Sequence, residues 1–305
     1  MNAIKFNSKF LLILMAFGIV AAGIAGCTNK TTSPSAAATA TVTRTSTSVA
    51  VSSATRTITR TISPTATTTV TATITPTFTV TMTSTTTTNQ LAVVLGSSAN
   101  FAVLSSSAIT DVPSSAVTGN VGLYPGLRAA IGITIPEVTG NIYAADDAPP
   151  VPANLLQAET DAQNAYLDAT SSSRGTPVLI SGDQNGITLA PGLYESGTSI
   201  EISPGGILYL DGKGDANAVF IIRSATSITT SSTSSVVLEG SAQAKNVFWV
   251  AGSSVTLGTY SVMKGTVIAS TSISILTGAN LQGRALLQGP SAAQVSLDTD
   301  TIVLP

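Results

Sequence analysis

A short internal repeat in the last third of the chain places the strongest constraint on its fold. Short, mainly apolar segments begin at Val247, Thr266 and Arg284, which gives a period of 18–19 residues. Each is followed by a second strand-like segment and by a third that ends near a glycine, and an earlier, longer copy begins at Val219. Three short strands per repeat predict a triangular β-solenoid, because stacked coils together form the core that a single coil cannot.

The second strand of each coil alternates apolar and small polar residues, which predicts one buried side and one exposed side. The expected inward residues are Ile228, Val255, Ile273 and Val295. In stacked coils the outward hydroxyls would form rows with a spacing of about 4.8 Å between coils. Such an uncharged, regular surface suits adsorption to an ordered lattice, although Ser and Thr also occupy exposed strand positions that have no function.

One stretch has helical periodicity, and the predicted helix covers about residues 152–173, with Pro152 at its start and Gly175 and Pro177 after its end. Its apolar stripe consists of Leu155, Ala158, Ala162, Ala165 and Ala169. The first strand of each coil is apolar at nearly every position, as in strands that are covered on both sides. We therefore expect this helix to pack along that side of the solenoid.

The composition excludes several classes of function. The chain has no histidine and one cysteine, so it has no Ser-His-Asp set, His-ligated metal or internal disulfide. Its 13 basic residues are spread thinly, without the basic patch of a nucleic-acid-binding protein. We predict no catalytic residues, metal or cofactor.

The N-terminus has the features of an export signal. Lys5 and Lys9 precede an apolar run over residues 10–25, and the run ends Ile24-Ala25-Gly26-Cys27. This tetrapeptide resembles the lipobox of bacterial lipoproteins, which implies a signal peptide over residues 1–26 and lipidation of Cys27. The alternatives are an ordinary signal peptide or a single membrane-spanning anchor.

Residues 27–90 have low complexity and are dominated by Thr. Thr alternates with small apolar residues, which is compatible with a strand, but a single long strand would have no partner. We expect a disordered, extended stalk that reaches at most roughly 200 Å at about 3.3 Å per residue. Residues 1–110 contain six basic and no acidic residues, which also separates this half from the remainder.

The remainder, residues 91–305, is expected to form one folded domain, and it resembles the microbial ice-binding domain family in several blocks that follow the family order. The blocks are 95–104 (LGSSANFAVL), 116–122 (AVTGNVG), 138–146 (VTGNIYAAD), 189–194 (LAPGLY), 240–252 (GSAQAKNVFWVAG) and 280–286 (NLQGRAL). The resemblance implies a mainly β fold: a discontinuous, right-handed β-solenoid with one long α-helix along one face. It also implies that the segment before the helix stacks on the last coils rather than the first.

The same resemblance implies that a flat solenoid face away from the helix binds ice. Some family members carry Thr-Ala/Gly-X-Thr/Asn on that face, and 277–280 (TGAN) fits this pattern. The segments 259–262 (TYSV) and 233–236 (TSSV), taken as equivalent, keep the Thr but not the last position.

Two sets of outward residues are therefore candidates for the ice-binding surface. The favoured set is a column of Thr233, Thr259 and Thr277, with Ser235, Ser261 and Asn280 beside it. The other set is the row formed by Thr229, Thr256, Ser274 and Ser296.

Two further features have structural interpretations. Asp146 and Asp147 could form an acid/base pair or a calcium site, but we expect adjacent acids before two prolines to cap or to be solvated. Trp249 lies on an apolar strand and is expected in the core.

The sequence thus predicts a non-enzymatic ice-binding protein of the cell envelope, lipid-anchored and surface-exposed or else secreted. Its expected partners are the ice surface and, through Cys27, the membrane, and we expect a monomer. The alternative function is a stalked adhesin or polysaccharide-binding module. A solenoid polysaccharide lyase or hydrolase would need clustered acids and bases, which the repeat faces do not offer.

Overall fold

The computed structural model describes residues 58–62, 66–70, 90–288 and 293–305. The signal segment, Cys27 and most of the Thr-rich segment lie outside the described residues. The chain divides into two units, Met1–Thr81 and Met82–Pro305. Within the described residues, no helix is both long enough and apolar enough to span a membrane.

In the first unit, β1 (Ile58–Ile62) pairs with β2 (Ala66–Val70) in antiparallel orientation. The alternation of Thr with apolar residues thus forms two short paired strands here, and not the single long strand considered from the sequence. A strand that folds back on itself needs only a short connection, and the β-branched Thr, Ile and Val of these strands favour extended backbone.

The second unit begins with a 3₁₀ turn, Gly96–Asn100, and six short strands. These strands are β3 (Phe101–Ser105), β4 (Ala108–Val112), β5 (Ala116–Thr118), β6 (Asn120–Leu123), β7 (Val138–Thr139) and β8 (Ile142–Ala144). Helix α1 (Val151–Thr170) follows.

After α1 the chain forms sixteen more strands in the described residues. They are β9 (Val178–Leu179), β10 (Gly182–Asp183), β11 (Thr188–Leu189), β12 (Gly192–Ser196), β13 (Ile200–Ile202), β14 (Ile207–Asp211), β15 (Phe220–Ser224), β16 (Ile228–Thr230), β17 (Ser235–Glu239), β18 (Val247–Ala251), β19 (Ser254–Leu257), β20 (Val262–Ala269), β21 (Ser272–Ile275), β22 (Asn280–Leu287), β23 (Gln294–Asp298) and β24 (Thr301–Val303).

Parallel pairing stacks these strands into three walls. Face A is the stack β9-β12-β15-β18-β20-β22-β3-β6-β8. Face B is β10-β13-β16-β19-β21-β23-β4. Face C is β11-β14-β17-β20-β22-β24-β5-β7, so β20 and β22 each turn from face C into face A. This arrangement confirms the predicted β-solenoid.

The solenoid is discontinuous in chain order, as the family resemblance implied. β3 pairs with β22, β4 with β23 and β5 with β24, so the coils before α1 stack on the last coils after it. Ile109, for example, lies opposite Val295. The chain reaches the far end of the stack through α1, whose 20 residues span about 30 Å at 1.5 Å per residue.

Helix α1 covers face A. Its alanine stripe, including Ala162 and Ala165, is fully buried and shares a cluster with Phe248, Ile268 and Leu286 of face A. Small side chains allow the helix to approach the strands closely, and the β-strands supply the large side chains. α1 ends at Thr170, before the predicted end at about 173, because Ser171 has extended backbone; residues 172–174 then form a separate 3₁₀ turn.

A second apolar cluster fills the interior of the solenoid, and it includes Trp249, whose exposure is 0%. The indole Nε1 donates a hydrogen bond to the carbonyl oxygen of Lys264 at 2.8 Å. Trp249 is therefore a core residue, as predicted, with its one polar group satisfied.

Candidate functional site

Face B carries an in-register row of hydroxyl groups. Thr229 lies opposite Thr256, Thr256 opposite Ser274, and Ser274 opposite Ser296, all in parallel pairs. Neighbouring strands in a sheet are about 4.8 Å apart, so the row repeats at that spacing. All four side chains are half-buried and alternate with buried apolar residues. The structure therefore brings together every residue of the second predicted set.

The row extends beyond the predicted residues in both directions. Thr110 of β4 lies opposite Ser296, and Glu201 of β13 lies opposite Thr229. The prediction missed Thr110, although 108–110 (AIT) repeats the same alternation; recognising it required the knowledge that β4 stacks on β23. Glu201 places a charge at one end, and the four central positions carry none.

A second row of small polar groups runs beside the first. Ser254 lies opposite Ser272, and Ser272 lies opposite Gln294. The residues between the two rows, Val255 and Ile273, have an exposure of 0% and fill the interior. The central coils of face B thus present uncharged, mostly short side chains on a backbone that is fixed from below by close packing.

The favoured Thr column does not form as predicted. Thr233 N–H donates to the carbonyl of Thr259, and Tyr260 N–H donates to that of Thr277. Thr233, Tyr260 and Gly278 all have left-handed backbone, with φ of 59°, 57° and 69°. Thr233 is therefore equivalent to Tyr260, and the residue in register with Thr259 and Thr277 is Ser232.

The companions of that column are divided between the core and face C. Ser261 has an exposure of 0% and its Oγ lies 3.0 Å from Oγ1 of Thr230, so its assignment to the surface was wrong. Ser235 lies opposite Val262, and Val262 opposite Asn280, in face C. Ser235 and Asn280 therefore lie in a different wall from the hydroxyl rows of face B.

The corner is also less even than face B. Tyr260 is 63% exposed and its ring lies against Gly278. Thr277 donates its hydroxyl to Oδ2 of Asp298 at 2.6 Å, so that this hydroxyl already has a protein partner.

Face C offers no comparable surface. Its outward row includes Tyr209 opposite Val237 and Lys264 opposite Gln282. Lys264 Nζ lies 2.9 Å from Oε1 of Gln282. Face C thus presents long, charged and aromatic side chains, and α1 covers face A, so face B is the uncovered wall with a continuous row of small hydroxyl groups.

Acidic side chains gather where the last coil meets the coil of β4. Asp300 is 1% exposed, and burial raises its pKa to about 7. Burial also raises the pKa of Asp111, against the lowering effect of the Ser115 hydroxyl. Within the described residues, no group of three or more acidic, cysteine or histidine side chains is arranged to hold a metal ion.

Asp146 and Asp147 serve the fold. Oδ1 of Asp146 accepts the backbone N–H of Arg128 at 2.8 Å, and Asp147 forms an ion pair with the guanidinium of Arg128 at 2.6 Å. Hydrogen bonds from Arg128 lower the pKa of Asp147. The pair caps a loop, in agreement with the structural interpretation.

The sequence of the domain is similar to those of known ice-binding proteins. A sequence model described as "Ice-binding-like" matches residues 103–303. An ice-binding protein from Colwellia sp. is 37% identical over 221 residues, which is 70% of this chain and 84% of the relative. An ice-binding protein from Flavobacterium frigoris (strain PS1) is 34% identical over 221 residues, covering 70% and 76%.

Solved structures give the same result. The crystal structure of an ice-binding protein from an Antarctic biological consortium has a TM-score of 0.64 and 38% identity, with coverage of 72% of this chain and 94% of that one. An ice-binding protein from an Arctic yeast has a TM-score of 0.65 and 30% identity, with coverage of 71% and 95%. Together with the helix-covered, discontinuous solenoid, these matches show that the chain belongs to the ice-binding-like family.

Proposed function

We propose that this protein binds ice through face B, with Thr229, Thr256, Ser274 and Ser296 at the centre of the contact. The observation that carries the proposal is the in-register row of these four uncharged side chains on a wall that α1 does not cover. The names of the relatives support ice as the ligand.

Physical arguments favour face B over the corner. Adsorption to a lattice depends on many weak contacts at once, and each contact gains only if little entropy is lost when the side chain is fixed. Ser and Thr are short, and the strand backbone below them is held by buried Val255 and Ile273. The absence of charge in the central row avoids the cost of desolvating an ion.

A bulky substitution on the proposed surface tests this function. In Thr256→Tyr the ring would hold the surface away from ice, so we expect ice shaping and recrystallisation inhibition to fall at least tenfold. The matched control is Thr118→Tyr, since Thr118 is an exposed threonine in the outward row of face C.

Activity that survives Thr256→Tyr in folded protein, or that is lost equally in Thr118→Tyr, would contradict the proposal. Thr277→Tyr distinguishes the corner from face B. Loss of ice activity in this variant alone would show that the corner, and not face B, is the binding surface. Circular dichroism and thermal unfolding of each variant establish that it is folded.

The remaining parts of the chain are proposed to hold this domain at the cell envelope. Residues 1–26 would act as a lipoprotein signal peptide, lipid on Cys27 would anchor a monomer, and residues 27–90 would act as a stalk. Multiple acyl chains are needed for stable anchoring, since each buried methylene contributes about 0.8 kcal/mol. Metabolic labelling with an alkyne fatty acid should mark the wild type, and Cys27→Ser should remain unlabelled; labelling of Cys27→Ser would disprove lipidation at this site.

A further inference from the structure

A cavity of about 420 Å³ lies between the N-terminal half of α1 and the coils of β3, β6 and β8. Its volume is within the range of about 300–1,000 Å³ that is typical of small-molecule sites. The helix contributes Asn154, Leu155 and Gln157, and the solenoid contributes Phe101 and Tyr143. The proposed function does not use any of these residues.

The inner part of the cavity is apolar and aromatic. The rings of Phe101 and Tyr143 meet edge to face, with centroids 6.3 Å apart and an interplanar angle of 70°. Phe101 and Leu155 are buried, and they fix the position of the half-exposed Tyr143 ring. An aromatic wall of this kind offers a platform for the C–H face of a ligand ring.

The outer part of the cavity carries carboxamides that have no protein partner. Among the described residues, the side chains of Asn100 and Asn154 and the hydroxyl of Tyr143 take part in no hydrogen bond. Asn120 differs, because its amide donates to the Asn100 carbonyl at 3.0 Å and its oxygen accepts from Asn141 at 3.1 Å. Three lining residues thus carry polar groups with donors and acceptors available.

The cavity is electrically neutral. Its lining contains no Lys, Arg, Asp or Glu. Asp161, whose carboxylate contacts two of the lining residues, already accepts hydrogen bonds from Ser97 N and Oγ at 2.7 and 2.6 Å and from Gln157 Nε2 at 2.9 Å. An anionic ligand would find no cation here, and a cationic ligand would find no free carboxylate.

We propose that this cavity binds a neutral saccharide, with a sugar ring against Tyr143 and its hydroxyl groups hydrogen-bonded to Asn100 and Asn154. A neutral sugar combines an apolar face with many hydroxyl groups, which matches an aromatic wall beside free carboxamides. The cavity lies on the side of α1 and face A, so the saccharide and an ice surface on face B could be bound at the same time.

Saturation-transfer NMR with the full chain tests this site. The probes are three neutral trisaccharides (maltotriose, cellotriose and triacetylchitotriose) and the acidic trigalacturonate. We expect at least one neutral probe to bind, and Asn154→Ala and Tyr143→Phe each to weaken its Kd about three- to tenfold, as expected for one lost hydrogen bond. The matched control Asn164→Ala, at an exposed position of the same helix, should not change Kd.

Ice shaping should be unchanged in all three variants, which separates this proposal from the one on face B. Binding of none of the neutral probes, binding of trigalacturonate alone, or equal weakening by Asn164→Ala would each overturn the saccharide site. Alanine favours helix, so Asn154→Ala is expected to fold, and Tyr143→Phe removes only the hydroxyl.

Discussion

The aromatic ring of Tyr260 lies against Gly278 of the neighbouring coil, in the space that a β-carbon on Gly278 would occupy. Both residues occupy the same left-handed position of consecutive corner turns, with φ of 57° and 69°. This relationship fixes the register of the corner between faces B and C and explains why only glycine fits beside the tyrosine.

Gly278→Ala should destabilise the domain by about 1–2 kcal/mol, because alanine is strained at positive φ and its β-carbon would displace the Tyr260 ring. Gly214→Ala is the matched control: its φ is 86° but no atom lies within 4 Å of the added β-carbon. Thermal unfolding should show a larger loss for Gly278→Ala, and the difference should shrink in a Tyr260→Ala background. Equal losses in both single variants would show that the ring contact contributes nothing.

Thr233→Gly should raise the free energy of unfolding by about 0.5–1 kcal/mol. Thr233 is β-branched and exposed, and its φ of 59° costs an L-residue about 1–2 kcal/mol. Glycine removes this strain, but it also raises the conformational entropy of the unfolded chain, so the net gain in stability is smaller. Thr226→Gly, at an exposed threonine without positive φ, should instead lower stability. Urea denaturation of the two variants measures both changes, and a loss of stability in Thr233→Gly would refute the strain.

Glu159 should make the domain less stable as pH rises. Burial raises its pKa from 4.5 to about 8, and neither carboxylate oxygen has a hydrogen-bond partner in the described part of the chain. Between these two pKa values the folded state keeps a proton that the unfolded chain has released, so the unfolding free energy falls by about 1.4 kcal/mol per pH unit. Above about pH 8 the loss is complete.

Glu159→Gln should remove this slope and be more stable than the wild type at pH 8. Denaturation curves between pH 4 and pH 9 measure it, and Glu239→Gln, at an exposed carboxylate, controls for the change in net charge. A slope that persists in Glu159→Gln would show that the carboxyl of Glu159 is not its source.

Asp300 should also make the domain less stable as pH rises, and its effect should lie at the junction between the last coil and β4. Its pKa is raised to about 7 mainly by burial, with the charges of Asp111 and Asp298 adding to it. Asp300→Asn keeps an acceptor for the Asp298 N–H, which lies 3.2 Å from Oδ2, and removes the charge. Amide hydrogen exchange in β4 and β23 should slow at pH 8 in this variant. Faster exchange would mean that the ionised carboxylate stabilises the junction.

The rows of face B illustrate what could be predicted from the sequence. The internal repeat identified the strands, and side chains along a strand point alternately to its two sides. Val255 and Ile273 were therefore expected to point inward, and Thr256 and Ser274 to point outward. The same argument predicted α1 as the cover of face A, because strands that are apolar on both sides need one. Thr110 was missed because the expected stacking of the segment before the helix on the last coils does not give the register of β4 against β23.

The corner illustrates what the sequence could not decide. Matching Thr233 with Thr259 aligned identical residues, whereas the folded chain aligns backbone conformations and places Thr233 with Tyr260. Turns do not follow the period of two that strands obey, so counting residues cannot tell whether Ser261 is buried or exposed. Burial of that hydroxyl depends on a partner, Thr230, in the preceding coil.

The sequence alone therefore determined the solenoid, its helical cover and the side of each strand that faces water, because these follow from local periodicity and from the need to bury apolar surface. The tertiary structure decided which of the two predicted sets forms one continuous row, where the corner residues lie and which carboxyl groups are buried. Those features arise from contacts between coils that are 18 or more residues apart, such as Ser296 with Thr110, and no local pattern encodes them.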